Sequence, residues 1–207
     1  MIINVIMKFG DFVKRMLKPV FTFAEAQMVA HEEPAAGLRL NLHRWAKKGT
    51  LIRLRREVYM FGDRASPLPL LISALYPPAY VSLETALNQH GLLPDVPFET
   101  TLVTPRATRS FQTPLGRFHF HRIHPRLFFG FDPSTLLADP EKALLDYFYF
   151  RRARLVADPV FWRESRLQNF KRLDWGKGGK ELEIYRSDKM SRLWESLKRY
   201  AKTQRAD

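Results

Sequence analysis

The sequence predicts an α+β protein. An N-terminal winged helix-turn-helix over residues 1–65 precedes a mixed α/β domain over 66–207 with a small antiparallel sheet and C-terminal helices. Three observations carry this. Helical periodicity in the first 48 residues stops at Gly49 and gives way to two alternating apolar runs, LIRL (51–54) and VYMF (58–61). The stretch DRASPLP (63–69) breaks the pattern with Pro and Ser. Charge is uneven: within a formal net +13, residues 1–65 carry +6, residues 66–150 carry −1 and residues 151–207 carry +8.

The N-terminal elements follow in order. In FGDFVKRMLK, Phe9, Phe12, Val13, Met16 and Leu17 share one helical face until Pro19 ends the pattern. TFAEAQMVA opens with Thr22 and has Glu25 three residues later, a capping box that satisfies orphan N–H groups at a helix start. HEEPAAG (31–37) is a connector, and a third helix fits residues 36–48. There Leu38, Leu42 and Trp45 share an inward face and His43, Arg44 and Lys47 lie opposite, flanked by Arg39, Asn41 and Lys48. Leu40 is out of pattern on the polar side. Gly49 suits the residue after a helix end, and Arg55, Arg56 and Glu57 occupy the tip between the two strands.

Three helices and a hairpin in that order make a winged helix-turn-helix. Its third helix fits a major groove about 12 Å wide, while the hairpin reaches the flanking backbone. The contact set expected for double-stranded DNA is Arg39, Asn41, His43, Arg44, Lys47 and Lys48 on the helix, with Arg53, Arg55 and Arg56 on the wing. Arg and Asn serve base edges, and Arg and Lys serve phosphates. The basic excess agrees, because phosphates attract cations and release counterions on binding. A winged helix can instead bind an acidic protein partner without specific DNA recognition, and that is the alternative reading.

In the second part, LLISALYPPAY is an apolar run ending in a double proline. Ser82 is placed to cap a helix, SLETALNQHG, closed by Gly91. TTLVT (100–104) is a strand, and SFQTPLGRFHFHRI (110–123) is a hairpin turning at Pro114-Leu115-Gly116. ADPEKALLDYFYF (138–150) starts a helix with Asp139 as N-cap, Pro140 in the first turn and Glu141 at the positive dipole end. Its Ala143, Leu144, Tyr147 and Phe148 give a broad apolar face for burial. PVFWRESRLQNF (159–170) has helical character, WGKGGK (175–180) has the composition of a flexible turn, and SDKMSRLWESLKRYAK is amphipathic through Met190, Leu193, Trp194, Leu197, Tyr200 and Ala201.

Signals for catalysis are weak, and the chain is expected to be non-enzymatic, with no cofactor and no metal. The absence of cysteine removes disulfides and thiolate sites. WGKGGKE lacks the P-loop spacing, since Glu181 follows Lys180, so a linker explains it better. His119 and His121 sit two apart on a strand and could hold a metal; solvent-facing residues backed by buried Phe118 and Phe120 are the simpler account. A nucleic-acid enzyme using this histidine strand is the third reading. Glu84, Glu141 and Asp146 are explained by capping or a helix surface. MIINVIMKFGDFVKR lacks a signal-peptide apolar region, and no apolar run approaches the roughly 20 residues that span a bilayer, so a cytoplasmic location is expected.

Four stretches resemble the AbiEi family of antitoxins and transcriptional regulators: GTLIRLRREVYMF, AYVSLETALNQHGL, LVTPRATRSFQTPLGRFHFHRI and LLADPEKALLDYFYF. The matching residues include Gly49, Arg56, Tyr59, Tyr80, Ser82, Ala86, Leu87, His90, Gly91 and Leu92, then Pro140 through Leu144 and Asp146. PEKALLD is the most specific stretch, and the likeness covers most of residues 20–170. The family's hairpin carries Gly where this chain has Glu57, and the tail after 170 matches only loosely. The resemblance implies a repressor of its own toxin–antitoxin operon that binds inverted repeats, with possible self-association on DNA. It also implies an antitoxin partnered by a nucleotidyltransferase-like toxin.

Overall fold

The structure is a computed structural model that describes residues 7–204; the apolar start at 1–6 lies outside them, as does the basic tail's end at 205–207. The protein is mixed α+β, with a small antiparallel sheet and a larger mixed one. It divides into two compact units, residues 1–77 with 111–116, and residues 78–110 with 117–207. No helix among the described residues is long and apolar enough to cross a membrane.

The first unit contains α1 (Phe9–Arg15), β1 (Val20–Thr22), α2 (Phe23–Val29), α3 (Ala35–Lys47), β2 (Leu51–Arg55), β3 (Val58–Phe61) and α4 (Leu68–Leu75). The Thr22 capping box forms as expected: the hydroxyl accepts from the Glu25 amide, and the Glu25 carboxylate accepts from the Thr22 amide at 2.8 Å. One strand was not foreseen. Pro19 ends the first helical pattern, and Val20–Thr22 then pair antiparallel with β3, giving the sheet order β1-β3-β2. Three residues are too few for a periodic signal; the strand exists because β3 offers an open edge. The core joins all three helices to the sheet. Phe12 lies 5.2 Å from Trp45 and 5.4 Å from Phe21, and Phe21 lies 5.4 Å from Phe61.

The second unit contains β4 (Tyr80–Val81), α5 (Leu83–Gln89), β5 (Thr100–Thr104), β6 (Arg109–Thr113) and β7 (Gly116–Arg122). It continues with β8 (Phe131–Asp132), β9 (Leu137–Ala138), α6 (Pro140–Arg151), α7 (Pro159–Glu164), α8 (Trp175–Glu183) and α9 (Asp188–Thr203). The strand order is β6-β7-β5-β4-β9-β8, and residues 111–116 at the β6–β7 tip group with the first unit. This sheet is larger than the small antiparallel sheet expected, and it is mixed. β4 pairs antiparallel with β5 but parallel with β9, and β5 pairs parallel with β7.

Three local expectations change. WGKGGK is helical, not a flexible turn: it opens α8, whose first amides at Gly176 and Lys177 donate to the Asp174 carboxylate. Glycine weakens a helix by about 1 kcal/mol per residue. At Gly178 it is needed, because an added Cβ would overlap the Trp194 ring. PVFWRESRLQNF is helical only over 159–164; Arg166 and Asn169 then adopt left-handed backbone and the chain turns away. α9 is as expected, burying Met190, Leu193, Trp194, Leu197 and Ala201 and exposing its basic face.

α6 is buried on every side. Glu141, Lys142 and Asp146 are buried with the apolar residues between them. Glu141 was expected at a helix start and Asp146 on a helix surface. Instead Glu141 accepts the Asp174 amide at 2.7 Å, and Asp146 accepts four hydrogen bonds. The hydroxyls of Tyr80 and Ser82 donate to Oδ2 at 2.8 Å, while Lys142 Nζ (2.7 Å) and the Tyr185 hydroxyl (2.9 Å) donate to Oδ1. Lys142 Nζ also donates to the Leu127 carbonyl at 2.7 Å. Burial pushes the lysine down from its usual value, with Asp146 opposing, and pushes both tyrosines up. Ser82 therefore anchors Asp146 and makes no cap hydrogen bond to α5, and Asp139 pairs with Lys177 at 2.7 Å where a cap was expected.

Candidate nucleic-acid interface

The cationic side chains of the first unit fall into three groups. His43, Arg44, Lys47 and Lys48 on the C-terminal half of α3, with Arg53 on β2 and Arg56 at the turn, are all exposed. Helix periodicity forces this for α3, because Leu38, Leu42 and Trp45 are buried on the other face. Arg39, Arg55 and Asn41 make different contacts.

Asn41 does not project outward as expected. It is 7% exposed, and its Nδ2 donates to Glu33 Oε1 at 2.7 Å. Glu33 is itself buried and accepts the Met7 amide on Oε2, so Asn41 satisfies a carboxylate that water does not reach. Arg55, expected at the tip, is half-buried. Its Nε donates to the Leu75 carbonyl at 2.9 Å and Nη1 to the Arg56 carbonyl at 3.0 Å, and its guanidinium lies over Phe111. Arg55 holds α4 to the hairpin, a tertiary role that its position in the run did not show.

Arg39 is exposed but engaged. Its Nη2 donates to Glu57 Oε1 at 3.2 Å and its guanidinium stacks 3.9 Å over Phe23. Glu57 has a φ of 62°, a left-handed conformation that favours glycine. That explains both the unusual turn and the register shift between Arg53 and Arg55. The turn is tied down because the Phe23 amide donates to the Glu57 carbonyl at 2.8 Å. Phe23, Arg39, His43, Arg53, Arg56, Glu57 and Tyr59 line an open notch of about 270 Å³ between α3 and the hairpin. Helix and hairpin cations thus meet on one surface, with Glu57 the carboxylate among its lining residues.

The histidine strand is a separate feature of the second unit. His119 and His121 stack 4.1 Å apart, and His119 Nδ1 lies 3.2 Å from Glu99. They are half-buried, not solvent-facing as expected, because Phe150 at the end of α6 covers His121 at 5.1 Å. Phe118 and Phe120 supply the buried face as expected. Burial, the stacked His119 ring and Arg151 push His121 down from 6.5 to about 4, opposed by Glu99. The unfolded chain then takes up a proton that folded His121 refuses. Stability should fall as pH drops from about 6.5 to about 4. His121→Gln should remove that part of the slope in urea unfolding, and parallel curves for the two proteins would refute the effect.

Neither a protein-family model nor a curated protein matches the chain.

Proposed function

We propose that the first unit is a winged helix that binds double-stranded DNA, and that the chain represses its own toxin–antitoxin operon while serving as the antitoxin. In this reading α3 enters the major groove and the β2–β3 hairpin is the wing. The observation that carries it is the shared surface of His43, Arg44, Lys47, Lys48, Arg53 and Arg56 beside the notch. Arg44 and His43 are placed for base edges, and the lysines and wing arginines for phosphates. Asn41 and Arg55 support this surface from within. Self-association on an inverted repeat would present two such surfaces to two half-sites.

The antitoxin role rests on the AbiEi likeness. Tyr80, Ser82, Lys142 and Asp146, four of the residues that carry it, meet in one buried network. The likeness therefore lies in how a domain is built, and the partner it supports is a nucleotidyltransferase-like toxin. Fluorescence anisotropy on the duplex upstream of the gene, against random duplex at the same salt, tests the DNA role. Tighter binding to the upstream duplex is expected. No retention of either duplex at low salt would overturn it in favour of an acidic protein partner.

A further inference from the structure

We propose that the notch between α3 and the hairpin turn takes one backbone phosphate of the duplex, and that Glu57 occupies Arg39 as that phosphate's intramolecular stand-in until DNA displaces it. This rests on the duplex-binding reading above and adds a regulated contact to it.

The geometry of a displaceable anion is present. Glu57 is pinned through its backbone, by the Phe23 amide on its carbonyl, while its carboxylate makes one hydrogen bond, to Arg39. Both side chains are about half exposed, at 53% and 49%, so water and ions reach the pair. Such pairs are weak and exchange readily. Arg39 has a second, independent anchor in the Phe23 ring, so its guanidinium keeps its place when the carboxylate leaves. A phosphate offers the same fork two oxygens in place of one, and charge-assisted bidentate contacts are the stronger kind. Arg53, Arg56 and His43 line the same notch and add attraction for an anion.

The backbone supports the same view. A glutamate in left-handed conformation is strained where glycine would not be, and strain kept at an exposed turn is a mark of function. The acidic side chain at a basic tip then has a role. It keeps Arg39 extended along the notch, and it sets a threshold that weak, non-specific phosphate contacts must exceed.

The test uses the full chain and duplex anisotropy at fixed salt for wild type, Glu57→Gln, Glu57→Gly, Arg39→Ala and the Glu57→Gln/Arg39→Ala double variant. Glu32→Gln, an exposed carboxylate outside the notch lining, is the control. Glu57→Gln and Glu57→Gly should each tighten binding about three-fold, the scale of one exposed ion pair. Arg39→Ala should weaken binding and abolish the gain from Glu57→Gln, and the control should change nothing. Glycine suits the turn, so Glu57→Gly should unfold at or above the wild-type temperature, which separates the binding effect from misfolding. If wild type binds duplex but Glu57→Gln does not tighten it, or tightens it equally without Arg39, the stand-in role is wrong and the DNA reading stands. If no variant binds duplex, both are wrong.

Discussion

Lys142→Ala will lower the stability of the chain by about 3–5 kcal/mol in urea unfolding followed by tryptophan fluorescence. The ammonium is fully buried and has three acceptors, the Leu127 carbonyl, Asp146 Oδ1 and the Tyr185 hydroxyl, each at 2.7 Å. Removing it strands the Asp146 carboxylate, also 0% exposed, beside a cavity bounded by Phe129 and Tyr185. The alternative, that α6 is held by its apolar residues alone, predicts a cost nearer that of an ordinary truncation. A Lys142→Met/Asp146→Leu double variant distinguishes them. Buried pairs replaced together by apolar residues lose much less than the sum of the two single losses. The double variant still leaves the hydroxyls of Tyr80, Ser82 and Tyr185 without their acceptor, so it should not reach wild-type stability. A Lys142→Ala protein within about 1 kcal/mol of wild type would refute the network's role.

The second large effect is on binding. Replacing Arg44, Lys47, Arg53 and Arg56 with alanine should weaken duplex affinity on the order of a hundred- to a thousand-fold at about 0.15 M salt. It should also reduce the slope of log K against log salt by about 3–4, since each lost phosphate contact removes roughly 0.9. All four side chains are exposed, so stability should move by no more than a few tenths of a kcal/mol per residue. That separates loss of contact from loss of fold. An unchanged slope in a salt titration would mean that the α3–hairpin surface does not meet phosphates.

Much of the first unit was legible because its determinants are local. Thr22 and Glu25 are three residues apart, Leu38, Leu42 and Trp45 repeat at helical spacing, and Gly49 has the φ of 78° that a chain reversal after a helix uses. The same local rules placed His43, Arg44, Lys47 and Lys48 outside. They failed for Asn41, at the edge of the helical stripe, because the partner that turned it inward, Glu33, sits in the preceding connector. They failed for Arg55 because its acceptors, the carbonyls of Ala74 and Leu75, lie about twenty residues on in a helix with no polar signal.

The sequence by itself determined the α+β class, the order of helices and hairpin, the inward faces of α3 and α9, and the basic surface beside the turn. Each follows from short-range periodicity, capping or charge, and needs no knowledge of what lies across the core. Only the tertiary structure decided that a run with three glycines is a helix, because Trp194 leaves no room for a side chain at Gly178. Only it showed that Lys142 and Asp146 are buried, because the groups that satisfy them come from Tyr80, Ser82, Leu127 and Tyr185, up to 66 residues away. It also gave Glu57 a place: at a left-handed turn, held to Arg39. A carboxylate there is an exception to local preference, and its partner arrives from a helix 18 residues earlier in the chain.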